Sequence, residues 1–541
     1  MRRSVVIHPF LFAAFPVLFL FAHNLHLFHV GAILDAFVIL LCLVTLLWMA
    51  LAFVLKNMHK AGLVTSLFIV LLFSFESLFE AVRDSVERVD PLVGLFIRLG
   101  IGRAGLRGAL LALSVVIFCL GTCFLIRTRR GLNNLTLVAN VVAFALVLMT
   151  LIDIAAYEVR IGSGWRRSGA ARPADLTPVE PAASETLPDI YYIILDGYAR
   201  ADVLEELYQY DNTDFVEYLS GRGFYVAGES RSNYCQTFLS LATSLNMTYL
   251  DDLAGRVGAE SMSRRPAVNM IWYNDVMRFL KRFGYTTVAF SSGWWGTEIT
   301  NADVYLTPRW QPDFFQVELI GMTPLPFVAG QMGLQGEQHR AHGERILYTL
   351  DKLVELSELD GPLFVFAHVV APHPPFVFGR RGEEIEPESR FTLRDGDQIV
   401  GKGSLTQDEY VRRYTDQLIY VNDRVRQTID GILSGSERPV IIILQADHGP
   451  GSTLDWDDVD RTNLKERFSI LNAYYFPDEA SVALYDGITP VNTFRLVFNH
   501  YFGADYELLR DESYFSTYSR PYAFMNVTDE VDDIRGTGHP E

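Results

Sequence analysis

Cysteine is nearly missing from this chain, with four in 541 residues, and three of them (Cys42, Cys119, Cys123) sit in strongly apolar stretches. Cys235 is the one thiol of the polar part, so no disulfide can form within it. An oxidising compartment stays allowed, but stability there has to come from a large core or a metal rather than from cross-links. Basic residues are also short, 46 Lys and Arg against 64 Asp and Glu, for a net charge of −18. The deficit is uneven. Residues 1–155 hold 12 basic and 7 acidic side chains and the remainder 34 and 57, so net charge runs from +5 to −23. That acidity argues against a nucleic-acid partner, which needs a basic face for its phosphates. Anionic lipid substrates stay open, because a metal or a local pocket can reverse the local field.

Long apolar runs are plentiful, and all lie in the first part. They cover about 9–28, 29–55, 62–82, 106–126 and 132–154, each near the roughly 20 residues a helix needs to cross hydrocarbon. The pattern predicts a transmembrane region of five helices over 1–155. Arg2 and Arg3 before the first run imitate a signal peptide, but four more runs follow and no small-residue cleavage site ends it, so it reads as an uncleaved anchor. Arg2 and Arg3, Lys56 and Lys60, and Arg127, Arg129 and Arg130 fall on one side, which the positive-inside rule makes cytoplasmic. The expected protein is multi-pass and integral to the cell membrane, with a cytoplasmic N-terminus and everything after Asp153 outside. In the outer loop from Arg83 to Arg103, Pro91–Ile101 has the composition of a short interfacial helix. Asp35, Glu76 and Glu80 stand in or near the outer halves of their runs; they read either as snorkelling and helix-end residues or as the border of a headgroup-sized vestibule.

Residues 156–188, rich from 160 onward in Gly, Ala, Pro, Ser and Thr, read as a flexible linker, and a single domain is expected over 189–541. Strands are predicted at Ile190–Leu195, Thr286–Phe290, Leu363–Ala367 and Val440–Leu444, with helices over about 270–283 and 410–433. The strand runs are almost continuously apolar, as in a mostly parallel sheet flanked by helices on both faces. Ala473–Phe476 reads as another buried strand, and Val491–Asn499 as a helix on the sheet edge. His339 and His342, spaced i, i+3 before a helical pattern, read as helix-surface residues.

Each strand is followed directly by polar groups: Asp196-Gly197, Ser291-Ser292-Gly293-Trp294-Trp295, His368 with His373, and Asp447-His448-Gly449. In an open α/β sheet these carboxyl ends converge on one crevice. Asp196, Asp447 and His448 offer two hard carboxylates and an imidazole, a set that suits one divalent ion, Mn²⁺ or Zn²⁺. Two carboxylates neutralise the ion and leave it able to stabilise a negatively charged oxygen. Taken alone, Asp447-His448-Gly449 is also an ordinary turn after a strand. Thr237 falls at the start of a helical pattern (Phe238, Leu241, Leu245). There, amides and the helix dipole would support an alkoxide or a phosphate, and the same position suits a simple N-cap. Position alone leaves both readings standing.

Apolar spans followed by Asp196-Gly197, Thr237-x-x-Ser240, His368-x4-His373-x-Pro375 and Asp447-His448-Gly449 resemble, in order and over essentially the whole chain, the alkaline phosphatase/sulfatase superfamily. Within it the architecture is similar to lipoteichoic acid synthases and lipid A phosphoethanolamine transferases. The resemblance implies that Thr237 is the nucleophile and also lends its oxygen to the metal, with Asp196, Asp447 and His448 as the remaining ligands. It implies that His373 contacts the transferred phosphoryl oxygens or the leaving group, and that His368, Trp294, Trp295 and Arg309 contact substrate. The implied activity is metal-dependent transfer of a phosphoglycerol or phosphoethanolamine type headgroup from a membrane phospholipid or lipid-linked donor to an envelope acceptor, through a phospho-threonine. The chain departs from sulfatases at Cys235, which is followed by Gln236, Thr237, Phe238 and Leu239 rather than by x-Pro-x-Arg, so the formylglycine route is not expected. The lone outer thiol leans toward the lipoteichoic-acid-synthase-like branch. Phosphate- or sulfate-ester hydrolysis, and an inactive membrane scaffold, are the alternatives.

Overall fold

The computed structural model describes residues 5–25, 30–87, 103–128, 131–167, 187–308, 312–332, 336–387, 391–400, 405–477 and 484–531. The stretch Pro91–Ile101 and Arg309 lie outside them. The chain forms two compact units, Met1–Ser163 with Pro312–Gln335, and Gly164–Gln311 with Gly336–Glu541.

The first unit contains helices α1 (His8–His23), α2 (Leu34–Leu55), α3 (Met58–Phe73), α4 (Phe75–Glu87), α5 (Arg103–Arg127) and α6 (Asn133–Arg167). Among the described residues only Leu34–Leu55, Ala104–Arg127 and Asn133–Tyr157 are single helices long and apolar enough to cross a membrane. The α3–α4 pair, bent by 45°, makes a fourth if it is one span. The expected count of five is therefore not reached among the described residues. α1 has 16 residues, short of the roughly 20 required. The run beginning at 62 bends at Ser74, whose hydroxyl adds a second hydrogen bond to the Val70 carbonyl beside the helical one from its own N–H, the back-bonding that bends helices. The expected linker also begins late, because α6 continues through Arg167. Residues 155–160 (Ala, Ala, Tyr, Glu, Val, Arg) include good helix formers, and the first proline beyond the helix is Pro173.

Polar groups fasten the helix ends. Asn140 accepts from the N–H groups of Ile7 and His8 and donates to the Val5 carbonyl, while His8 Nδ1 lies 2.6 Å from Ser66 Oγ. In hydrocarbon such groups need internal partners, because no water is available to them. Glu76 is neither snorkelling nor free. It pairs with Arg107, whose guanidinium lies 4.3 Å from the Phe79 ring centre. Asp35 and Glu80 are exposed.

The second unit is built on a seven-stranded sheet in the order β2-β7-β6-β1-β5-β3-β4, where β1 is Asp189–Leu195, β2 Tyr225–Val226, β3 Thr286–Phe290, β4 Val304–Leu306, β5 Leu363–Val369, β6 Val440–Gln445 and β7 Asn472–Tyr475. The run β6-β1-β5-β3-β4 is parallel, and β7 pairs antiparallel with both β6 and β2. Side chains alternate between two covered faces. Tyr191, Ile193 and Leu195 pack toward helices Ala201–Tyr208, Glu337–Glu355 and Gln407–Gly435. Ile190, Tyr192 and Ile194 pack toward Thr237–Asn246, Arg265–Trp272, Asp275–Arg282 and Pro490–Phe502. With both faces filled, the strands need no polar alternation, which is why they read as unbroken apolar runs.

Two details differ from expectation. The helix expected over 270–283 is two helices, because Asn274 leaves helical geometry and caps the second one by accepting from the Met277 N–H. The C-terminal helix covers the middle of a face rather than the edge: Phe494 meets Tyr192 and Phe364, and Phe498 stacks on Phe279 at 4.0 Å. Truncating a core ring of this kind to Ala costs about 3–5 kcal/mol.

Candidate active site

β1, β5 and β6 lie side by side at the centre of the sheet, and their carboxyl ends carry Asp196, His368 and Asp447-His448. In register, Ile194 faces His368 on one side and Gln445 on the other, so the parallel pairing alone brings these ends together. Gly197, with φ +71°, turns the chain away immediately after Asp196 and donates its N–H to Asp447 Oδ1 at 3.2 Å. Gly449 leaves room for the Glu466 carbonyl, which a Cβ there would meet at 2.0 Å.

One ligand atom each from Asp196, His368 and Asp447 lie within 4.8 Å of one another. Oδ1 of Asp196, Oδ2 of Asp447 and Nε2 of His368 are buried with no hydrogen-bond partner among the described residues. Orphaned acceptors at this density are costly unless a cation lies among them, so the donor set fits a divalent ion. The structure thus puts His368, expected as a substrate contact, inside the donor group. Its Nδ1 is 2.8 Å from Thr297 Oγ1, an outer partner that orients the ring, and its Nε2 is 3.2 Å from Asp196 Oδ2.

His448 completes the cluster. Its Nε2 is 3.3 Å from Asp447 Oδ2, 3.7 Å from Asp196 Oδ1 and 3.0 Å from Thr237 Oγ1. Nδ1 lies 2.9 Å from the Gly449 carbonyl. A carbonyl only accepts, so Nδ1 carries the proton and Nε2 presents its lone pair to the threonine. Burial, helped by the Arg467 cation, lowers the His448 pKa to about 4 and keeps the ring neutral.

Thr237 is the first residue of its helix. The N-cap is Gln236, and it makes no side-chain cap. The simple capping reading for Thr237 therefore fails, since its hydroxyl is directed to His448 instead.

His373 stands beside this group. Its backbone N–H bonds to the Asp196 carbonyl, its Nδ1 is 2.5 Å from the Pro374 carbonyl, and Nε2 is 3.9 Å from Asp395 Oδ1. Burial alone would lower its pKa, but the Asp196 and Asp395 carboxylates outweigh that and raise it. Asp196 is held low against its own burial by His373 and His368.

Asp395 and Arg467 had no mark in the sequence. Arg467, 1% exposed, pairs with Asp395 Oδ2 at 2.7 Å, donates twice to the Cys235 carbonyl and once to that of Gly449. One guanidinium thereby ties the segment before Thr237 to the segment after His448. In sequence, Arg467 sits in an ordinary charged helix and Asp395 in an Asp-Gly turn, so neither carries a local signal. Of the other expected contacts, Trp294 sets its edge against the His368 ring at 6.0 Å and Trp295 lies 5.7 Å from Trp294, both half-buried. His342, expected on a helix surface, is fully buried, with Nε2 3.2 Å from the Val370 carbonyl on the loop leading to His373 and its ring against Phe391. His339, expected beside it on the surface, is half-buried.

A parallel α/β sheet with clustered acids and imidazoles at its strand ends, and a hydroxyl at a helix start beside them, defines an enzyme of the α/β class. A sequence model of the sulfatase family matches residues 188–499, more than half of the chain. The chain belongs to the sulfatase family. No curated protein matches it in sequence. It is similar to the C-terminal periplasmic domain of EptC from Escherichia coli in complex with Zn, at 10% identity over 66% of this chain and 96% of that one, TM-score 0.42. It is also similar to the integral membrane lipooligosaccharide phosphoethanolamine transferase A from Neisseria meningitidis, at 15% identity over 86% and 88%, TM-score 0.36. The phosphonate monoester hydrolase of Agrobacterium radiobacter gives 12% identity over 61% and 80%, TM-score 0.38.

Proposed function

We propose that this membrane-anchored enzyme transfers a phosphoryl-linked headgroup, of the phosphoglycerol or phosphoethanolamine type, from a membrane lipid to an envelope acceptor through a covalent Thr237 intermediate. The observation that carries this reading is the Thr237 hydroxyl 3.0 Å from His448 Nε2, at a helix start and beside the orphaned carboxylates.

Asp196, Asp447 and His448, with His368 beside them, are the residues that would hold one divalent ion, Mn²⁺ or Zn²⁺. When bound, that ion increases the acidity of the threonine hydroxyl and offsets phosphate charge. In the first half-reaction Thr237 Oγ forms a bond to phosphorus and its proton passes to water. The bond from phosphorus to the diacylglycerol-like alcohol breaks, and that alcohol takes a proton from His373, whose raised pKa suits a donor. The N-terminal amides of the Thr237 helix face the nonbridging oxygens. An acceptor hydroxyl then attacks the phospho-threonine in line and restores the free hydroxyl.

Intact-mass analysis of the purified full chain after exposure to lipid extracts tests this, with wild type compared to Thr237→Ala. A mass increment in wild type alone identifies both the nucleophile and the transferred group. Turnover without any increment, or an increment that survives in Thr237→Ala, overturns the covalent reading. Release of free headgroup phosphate with no acceptor dependence assigns the enzyme to ester hydrolysis instead.

A further inference from the structure

Residues 312–335 are inserted in sequence between β4 and the helix Glu337–Glu355 of the catalytic sheet, yet they belong to the compact unit of the apolar N-terminal helices. They form a helical hairpin of Phe314–Gly321 and Leu325–Gln331. Asp313 and Gln316 make a reciprocal capping box that starts the first helix, and Pro324 starts the second.

The hairpin packs on one end of the helix bundle. Phe315 and Leu319 share an apolar cluster with Val17, Phe21 and Leu25 at the end of α1 and with Ile33 and Ala36 at the start of α2; Phe73, Ile154 and Tyr157 border it. The Met322 carbonyl accepts from the Glu76 N–H, and a Cβ at Gly108, near the start of α5, would touch Phe327. These are ends of odd-numbered apolar runs and beginnings of even-numbered ones. They are the end that the arginines and lysines of the short loops assign to the outer face.

The hairpin's other side is apolar and open. Ile320, Leu325 and Met332 are 37%, 53% and 69% exposed, and Pro326 is exposed with them. From Phe314 to Met332, Glu318 is the only ionisable side chain. The helices it packs on carry exposed apolar side chains as well, such as Leu34, Val38 and Leu151. Water is a poor neighbour for such a surface, and acyl chains are a good one.

We infer that the 314–331 hairpin is a membrane-embedded element of the catalytic chain, seated among the outer-leaflet acyl chains just below the headgroups. The chain then passes between its membrane unit and its catalytic unit three times, near 163, 311 and 335, instead of once through a linker.

The test uses the full chain in nanodiscs of phosphatidylethanolamine and phosphatidylglycerol. Cys42, Cys119 and Cys123 are replaced by alanine, and bimane is attached to a Leu325→Cys, a Met332→Cys or, as an aqueous reference, a Ser519→Cys variant. At 325 and 332 the expected result is blue-shifted emission, quenching by lipids bearing a doxyl group high on the acyl chain, and iodide quenching severalfold weaker than at 519. Iodide quenching equal to that at 519 overturns the inference. Protection from iodide without quenching by doxyl lipid overturns it too, because it places a protein, such as a second copy of the chain, over the hairpin.

Discussion

The Thr297 hydroxyl lies 2.8 Å from Nδ1 of His368, at the opposite edge of the imidazole from the Asp196 and Asp447 carboxylates. Thr297 also meets Ser292 Oγ at 2.8 Å and is completely buried, so its position is fixed by the loop after β3. Outer partners of this kind set which ring nitrogen is free to bind a cation. Thr297→Val keeps the shape and removes the oxygen. Affinity for Mn²⁺ or Zn²⁺, followed by competition with a chelating dye, is expected to fall about 10–100-fold, with the unfolding temperature of the metal-free protein little changed.

Metal addition should stabilise the catalytic unit, because the native state gathers carboxylates that are far apart in the unfolded chain. The gain is about 2.7 kcal/mol when the free ion stands at 100 times its dissociation constant. Thermal unfolding with and without a chelator measures it. Asp447→Asn should abolish most of the increment, and an unchanged increment would falsify the assignment of Asp447 as a ligand.

Asp395→Asn leaves the Arg467 cation buried without its carboxylate, a change that costs about 3–5 kcal/mol. After the opposing effect of burial, Arg467 and His373 hold the Asp395 pKa well below its ordinary value of 3.8. A depressed carboxylate contributes stability above its unfolded pKa and loses it as pH falls from there toward the folded pKa. The gap in unfolding temperature between wild type and Asp395→Asn should therefore narrow as pH falls below about 4. A gap that widened over that acid range would reverse the sign and refute the pairing.

Gly449→Ala pushes a Cβ into the Glu466 carbonyl, a backbone atom that cannot swing aside. Displacing the loop that carries Asp447 and His448 is expected to cost about 1–3 kcal/mol and to weaken metal binding in the same dye assay. Gly228→Ala, where a Cβ meets open space, is the matched control and should leave both readouts unchanged.

Much of the catalytic sheet was legible because burial on both faces leaves unmistakable apolar runs. β3, β5 and β6 begin at the expected Thr286, Leu363 and Val440, β1 begins at Asp189, one residue before the expected Ile190, and β7 covers most of 473–476. Polar groups at the ends of those runs pointed to Asp196, His368, Asp447 and His448 for the same reason. Local pattern could not separate a capping threonine from one aimed at an imidazole 211 positions later. It could not expose Asp395 or Arg467, whose roles consist of contacts with distant loops. Nor could it show the 45° bend after Phe73, since hydropathy does not register a change of direction.

By itself, the order of residues determined the two-part plan, the acidic catalytic half, the strands and the kinds of side chain at their ends. Those follow from hydropathy, charge and period, which are properties of neighbours along the chain. Only the tertiary structure decided that His368 joins the carboxylates, that one guanidinium binds the two loops flanking Thr237 and His448, and that 312–332 leaves the catalytic sequence to pack with the apolar helices. Each of those is a contact between segments far apart in sequence, and its energy exists only once the sheet has set their distance.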